Sequence, residues 1–433
     1  MRVLFVSQYF PPESNAPANR VSRLARSWAT RHGLEVTVLT GFPNHPEGRI
    51  YPGFDARRPA LDFEGPVRVI RTPIYMARNA GVIRRSLSYA SFWASASLLG
   101  PWLVEEPPEV VIATSPQLLV GLAGAWLAHR FRVPFVLEVR DLWPDSVVAV
   151  GAMSEKNPGI LVLRLLERAI YACADHVVIV AESFRDILIE RGVSPERISF
   201  IPNGVDRDLF TPGPPPEPDP YPGRFVVCFA GTVGMAHGLA TVLEAARMAR
   251  ATMPELLFLI VGEGAERPAL EERARKEGLD NVHFTGRLPR EAIPPLLRRA
   301  DLSLVMLRPD PLFRTVLPSK LFESMGCGRP ILLGVDGEAR RLVERAGAGV
   351  YFPPDNPRAL LEAITRLRSQ PEERKAMGER GHAFVVHHFD REALAARYAE
   401  LLHEVSKRTP PKSKEQPACP PSSFMWLEQG PIS

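Results

Sequence analysis

Lysine is scarce in this 433-residue chain: only seven of the 53 lysines and arginines are Lys, at 156, 276, 320, 375, 407, 412 and 414. Genome composition or selection for heat tolerance produces such a bias, and either way each lysine has to be accounted for. Cysteine is scarce as well. Cys173, Cys228, Cys327 and Cys419 stand far apart, with neither metal-ligand spacing nor a disulfide framework, so a reducing compartment fits. The net charge of +4 is small for the length, and no basic run with interleaved aromatics occurs. A broad nucleic-acid-binding face is therefore not implied. The opening MRVLFVSQYFPPES has one Arg and a short apolar run that proline ends, too short for a signal-peptide core or a membrane span. It reads as a first strand, and a cytoplasmic protein is the expectation. No GxGxxG with a following ribose-binding acid stands after a strand, which argues against a nicotinamide dehydrogenase.

What the chain does have is enough apolar material for two cores, since 433 residues exceed what one usually supports. Hydrophobic residues make up 45% and charged residues 24%, the balance of a globular protein. Apolar runs of strand length occur at 3–6, 35–40, 68–72, 110–114, 135–139, 176–180 and 198–201. Amphipathic helix patterns lie between them, notably at 17–31, 118–131 and 160–173. Unbroken Val/Ile/Leu runs mark strands buried on both faces of a parallel sheet, which predicts a doubly wound α/β domain. Prolines dominate Asn203 to Gly223 and forbid helix and central strand alike, giving a stiff linker or a wrapped loop. The alternation restarts at 225–230, 256–261, 282–285, 302–307 and 331–333, a second doubly wound domain. The predicted organisation is a first domain over 1–205, a linker over 206–223, a second domain over 224–387, a last helix over 388–407 and a disordered tail over 408–433. The most apolar long stretch, Ser86 to Val104, follows Arg84, Arg85 and nearby Arg78. It reads either as a buried helix or as a peripheral membrane-contact helix with a basic flank.

In doubly wound sheets ligands bind beyond the carboxyl ends of the strands. The first such turn offers Asn15, either beside an anion at the helix start or as a plain cap. The fifth strand ends in EVRDLWPDS, where Arg140, Asp141 and Trp143 supply a cation, a carboxylate and a stacking surface. In the second domain AGTVGMAHG and VGEGAERP put Gly231, Gly234, Gly262 and Gly264 in turns where backbone can approach a ligand, with Gly238 at a helix start. The sharpest signal is FRTVLPSKLFESMGCGRPILLG. Ser319 opens a helix whose first turn carries Lys320, a cation at the end whose dipole favours anions. Bound phosphate explains that placement, together with Arg314 nearby. Glu323 lies one turn on, either to accept from ribose hydroxyls or to pair with Lys320.

These stretches, with PPESNAPANR, TSPQLLVGLAGAWLAHRF, FIPNGVD and NVHFTGRLPREAIPPLLRRADLSLV, resemble the family 4 glycosyltransferases of the GT-B fold, and most the branch of bacterial fucosamine transferases. The resemblance spans about residues 1 to 405. It implies two Rossmann-like domains facing a cleft, a last helix crossing back to the first domain, and retaining transfer from a nucleotide sugar held on the second domain. Glu323 matches the second Glu of the family's paired-glutamate motif, a ribose contact, whereas the first Glu falls on Thr315. The family's Arg and Lys after the first strand of this domain fall on Thr232 and His237, so Arg314 and Lys320 are expected to neutralise the diphosphate. Gly286 and Arg287 match the region that meets the base, and Arg140-Asp141 stands where the family has His-Asp. The branch implies a UDP-linked 6-deoxy-amino sugar and a lipid-linked or polysaccharide acceptor; serving a lipid-linked acceptor, the first domain would meet the inner face of the cell membrane through Arg78, Arg84 and Arg85. No cofactor or metal is expected, with the cations supplied by the protein. An epimerase of the same fold and a non-catalytic nucleotide-binding scaffold are the competing expectations.

Overall fold

The computed structural model describes residues 1–77, 82–115 and 117–408, so Arg78 and the tail from residue 409 lie outside the described residues. The chain forms two compact units, Met1–Ile201 with the chain from Ala395 onward, and Pro202–Leu394.

In the first unit the strands are β1 (Arg2–Val6), β2 (Glu35–Gly41), β3 (Ala60–Glu64), β4 (Val67–Thr72), β5 (Val110–Thr114), β6 (Phe135–Val139), β7 (His176–Ile179) and β8 (Ile198–Phe200). They lie in the order β3-β4-β2-β1-β5-β6-β7-β8, parallel except that β3 runs against β4. Every residue of β5 and β6 is buried, as unbroken apolar runs under helices require. The sequence reading missed β3 because ALDFE lacks such a run; it is an edge strand with Phe63 exposed. Trp28, on the helix Ala16–Arg31, stacks on Phe5 and meets Tyr398 edge-on at 5.1 Å. Its Nε1 donates to Ala395 O at 2.9 Å, and this buried hydrogen bond fixes the last helix, Arg391–Arg408, to the first unit from Ala395 onward.

The helix Val82–Leu103 corrects the expectation of a fully buried element. Phe92 and Ala96 are buried, but Leu87, Trp93, Leu98 and Trp102 are exposed, the last at 81%. Among the described residues no helix is long and apolar enough to cross a membrane.

The second unit contains β9 (Phe225–Ala230), β10 (Leu256–Val261), β11 (Val282–Gly286), β12 (Leu302–Met306), β13 (Ile331–Gly334) and β14 (Gly349–Tyr351), in the order β11-β10-β9-β12-β13-β14. All neighbours are parallel. β14, three residues of GVY, was too short to stand out in the sequence. Residues 206–223 carry no helix or strand and wrap onto this unit. Arg299 pairs with Asp219 at 2.5 Å and donates to the Tyr221 carbonyl. Cys228 and Cys327 are buried thiols.

Candidate functional site

At the carboxyl end of β9 the chain turns at Gly231, whose φ of +152° suits glycine. The turns after β9, β10 and β11 lie against one another. Gly231 N donates to Val261 O, Val233 N to Glu263 O, and Gly262 N to Gly286 O. A Cβ on Gly262 would come within 2.0 Å of Gly231 O, and one on Gly264 within 2.1 Å of Val233 O. These two glycines make room for the neighbouring turn. Gly286, at φ +73°, lies beside the side-chain ends of Arg267 and Glu263. Arg287 and Thr232 are exposed.

Gly231 does clear space for Lys320. A Cβ there would sit 2.9 Å from Lys320 Nζ. The helix Ser319–Gly326 places Lys320 in its first turn, as expected, with Ser319 exposed at its start. The Lys320 stem is partly exposed, but its Nζ is buried and has no hydrogen-bond partner. It lies 3.8 Å from the centre of the Phe229 ring, which offers a cation–π contact. Burial pushes the Lys320 amine down to about 7, with Glu323 only partly opposing. On the same ring, at 5.5 Å between centroids, stands His237. Its Nδ1 is buried and unpartnered, and burial together with Lys320 holds it well below the usual histidine range.

The expected alternative, a Lys320–Glu323 ion pair, does not form. Glu323 Oε1 pairs with Arg290 Nη2 at 3.2 Å, and Arg290 in turn covers the Phe210 ring. Arg314 is exposed and pairs with Asp336 at 3.2 Å. It is thus engaged already and does not stand as a free cation. Thr315 Oγ1 donates to Leu312 O at 2.6 Å, inside its own turn.

In the first unit Asn15 proves to be a cap: its Oδ1 accepts from Ala18 N at 3.0 Å. At the end of β6 the wholly buried Glu138 is held by Arg20 at 2.8 Å and by Thr114. Arg140 follows with Nε and Nη1 buried and unpartnered. Burial lowers its guanidinium to about 10, against the pull of Glu138. Burial also raises the Asp141 carboxyl to about 6. Asp141 and Trp143 line a pocket with Ser115, Leu118, Gly121 and Ile170. Tyr89 meets Trp143 edge-on, and Arg85 donates to the Tyr89 hydroxyl at 3.1 Å. Arg85 is thus turned toward this group, while Arg84 is exposed.

The glycosyl transferase 4-like domain model matches residues 15–204, and the glycosyl transferases group 1 model matches residues 215–384. The chain belongs to the family 4 glycosyltransferases. This transferase is 26% identical over 386 residues to the Escherichia coli K12 protein named as a colanic acid biosynthesis glycosyl transferase, WcaI, covering 86% of this chain and 93% of that one. Among solved structures it superposes on sucrose-phosphate synthase from Thermosynechococcus elongatus with a TM-score of 0.73 at 20% identity, over 94% of this chain and 99% of the other. HepE of Anabaena, solved with UDP-glucose, gives 0.64 at 17% identity, over 93% and 100%. The architecture of the transferase is the GT-B fold.

Sequence reasoning overlooked three residues at these ends of the strands. Phe229 is hidden inside a strand run, and Arg290 had only its place in GRLPR to mark it. Glu13, two residues from the chosen Asn15, is buried and accepts from Asn44 N and His45 N. Burial raises its carboxyl to about 7.

Proposed function

We propose that this glycosyltransferase moves a sugar, with retention of configuration and without a metal, from a UDP-linked donor to a lipid-linked or polysaccharide acceptor in cell-envelope glycan synthesis. The donor sugar is of the 6-deoxy-amino class. The second unit takes the nucleotide sugar and the first serves the acceptor. One observation carries the reading: a buried Lys320 Nζ without a partner, at the end of the sheet, in a helix turn whose dipole favours anions. An isolated buried ammonium is costly, and a diphosphate there would supply the missing counter-charge. The relative named for colanic acid biosynthesis and the UDP-glucose complex of HepE support the glycan and the nucleotide.

Chemically, the bond from the anomeric carbon to the diphosphate oxygen breaks while the acceptor oxygen bonds to the same face. The acceptor's proton passes to the departing phosphate oxygen, so no protein nucleophile is required. Stabilising charge on the leaving diphosphate is then the protein's largest task, met by Lys320 and the helix start at Ser319. Glu323, held by Arg290, accepts from the ribose hydroxyls, and Gly286 with Arg287 lies along the base. In the first unit Arg140 and Asp141 orient the reacting groups, with Trp143 against the acceptor. A screen of several nucleotide sugars for donor hydrolysis and transfer tests this. Turnover with none of them would favour the scaffold reading.

Membrane contact through the first unit is supported by the exposed Leu98 and Trp102. The helix Pro158–Cys173 adds the exposed Leu161, Val162 and Leu165. Exposed apolar side chains together with nearby basic ones suit contact with an anionic bilayer.

A further inference from the structure

Two buried nitrogens without hydrogen-bond partners, Lys320 Nζ and His237 Nδ1, flank the single ring of Phe229. They come from different elements, the helix Ser319–Gly326 and the turn after β9. Charge on either opposes charge on the other. The ionisable groups around them do not compensate. Glu323, one turn along from Lys320, is taken by Arg290, and Glu263, across the turn pair, is taken by Arg267. Beside His237, Asp355 and Arg308 lie against Gly238, with Asp355 accepting from Thr241. Arg314, before the helix, is paired with Asp336. Around Phe229 the protein has thus gathered two groups able to take a proton, and among the described residues neither is in an ion pair.

We propose that Lys320 and His237 are sites of proton uptake on donor binding, so that the protein takes a nucleoside diphosphate together with protons and holds it more tightly in mildly acidic than in mildly basic solution. This rests on the donor reading of Lys320. Without a ligand, burial leaves the Lys320 amine near neutrality and His237 uncharged at neutral pH. The negative charges of a diphosphate beside them favour both charged forms. Protons taken up on binding make affinity fall with rising pH, by about tenfold per pH unit for each proton. Thr232 and His237, where the family resemblance implies permanent cations, thus make donor capture conditional on pH.

The test is calorimetric titration of the full chain with UDP in buffers of different ionisation enthalpy, repeated across the neutral range. UDP's own terminal phosphate titrates at about 6, so the readout is the difference in proton count between parent and variants. The parent should take up more protons than His237→Gln, and more than Lys320→Gln at the ligand concentration that still saturates it. Its affinity should fall the more steeply with pH. UDP binding with equal proton counts in parent and both variants would overturn the inference and leave the donor reading standing. Failure of UDP to bind the parent at any pH would overturn the donor reading, and this inference with it.

Discussion

Lys320 Nζ sits 3.8 Å above the centre of the Phe229 ring with no hydrogen-bond partner. The ring is a weak substitute for a counter-ion, since a cation–π contact contributes about 0.5 to 2 kcal/mol. The native state therefore carries a cost at this position that a ligand would remove.

Lys320→Met should accordingly stabilise the ligand-free protein while weakening UDP binding. The amine titrates near 7 when folded against 10.5 ordinarily, so the unfolded chain binds the extra proton between these values and parent stability rises with pH across that window. The advantage of Met is greatest at and below neutrality and shrinks toward pH 10.5. Thermal unfolding should show a gain of about 2 to 4 °C for each kcal/mol relieved. Lys320→Ala should cost about 1.5 to 3 kcal/mol of UDP affinity, the range for a hydrogen bond to a charged group. Unchanged affinity by calorimetry would sink the diphosphate assignment.

Glu323 is paired with Arg290 at 3.2 Å, and its proposed role is to accept from the ribose hydroxyls. Glu323→Gln should keep the fold, lose UDP affinity, and discriminate less between ribose and 2'-deoxyribose nucleotides. A variant that separates the two as well as the parent does would count against the ribose contact.

Asp141, raised by burial to about 6, gives a sign for the pH profile. If its carboxylate is required, turnover should fall as pH drops through about 6, and Asp141→Asn should lose that acid limb along with most of its turnover. UDP affinity, which the proposed function assigns to the second unit, should stay near the parent's. Full turnover in the variant would refute the role.

The exposed apolar face of Val82–Leu103 should bind anionic vesicles in a salt-sensitive manner, at about 1 kcal/mol for each basic residue near the surface. Leu98→Ser with Trp102→Ser and Arg84→Ser should abolish sedimentation with phosphatidylserine vesicles and leave UDP affinity alone. Arg85 is left intact because it holds Tyr89. A parent protein that ignores such vesicles at low salt would dismiss the membrane reading.

The sequence by itself determined the two doubly wound sheets, because strands buried on both faces must be written as unbroken apolar runs, as in VVIAT and FVLEV. It also marked Lys320, since a rare lysine in the first turn of a helix contradicts the local field. Edge elements escaped it. β3 is half exposed and β14 spans three residues, so neither needs a long apolar run. What only the tertiary structure decided was which groups are already spoken for. Arg314 is engaged by Asp336, Asn15 by its own helix and Arg85 by Tyr89, whereas Lys320 Nζ and His237 Nδ1 are buried around Phe229 without hydrogen-bond partners. A residue's type fixes what it can bind, but its neighbours across the fold fix whether that capacity is spent.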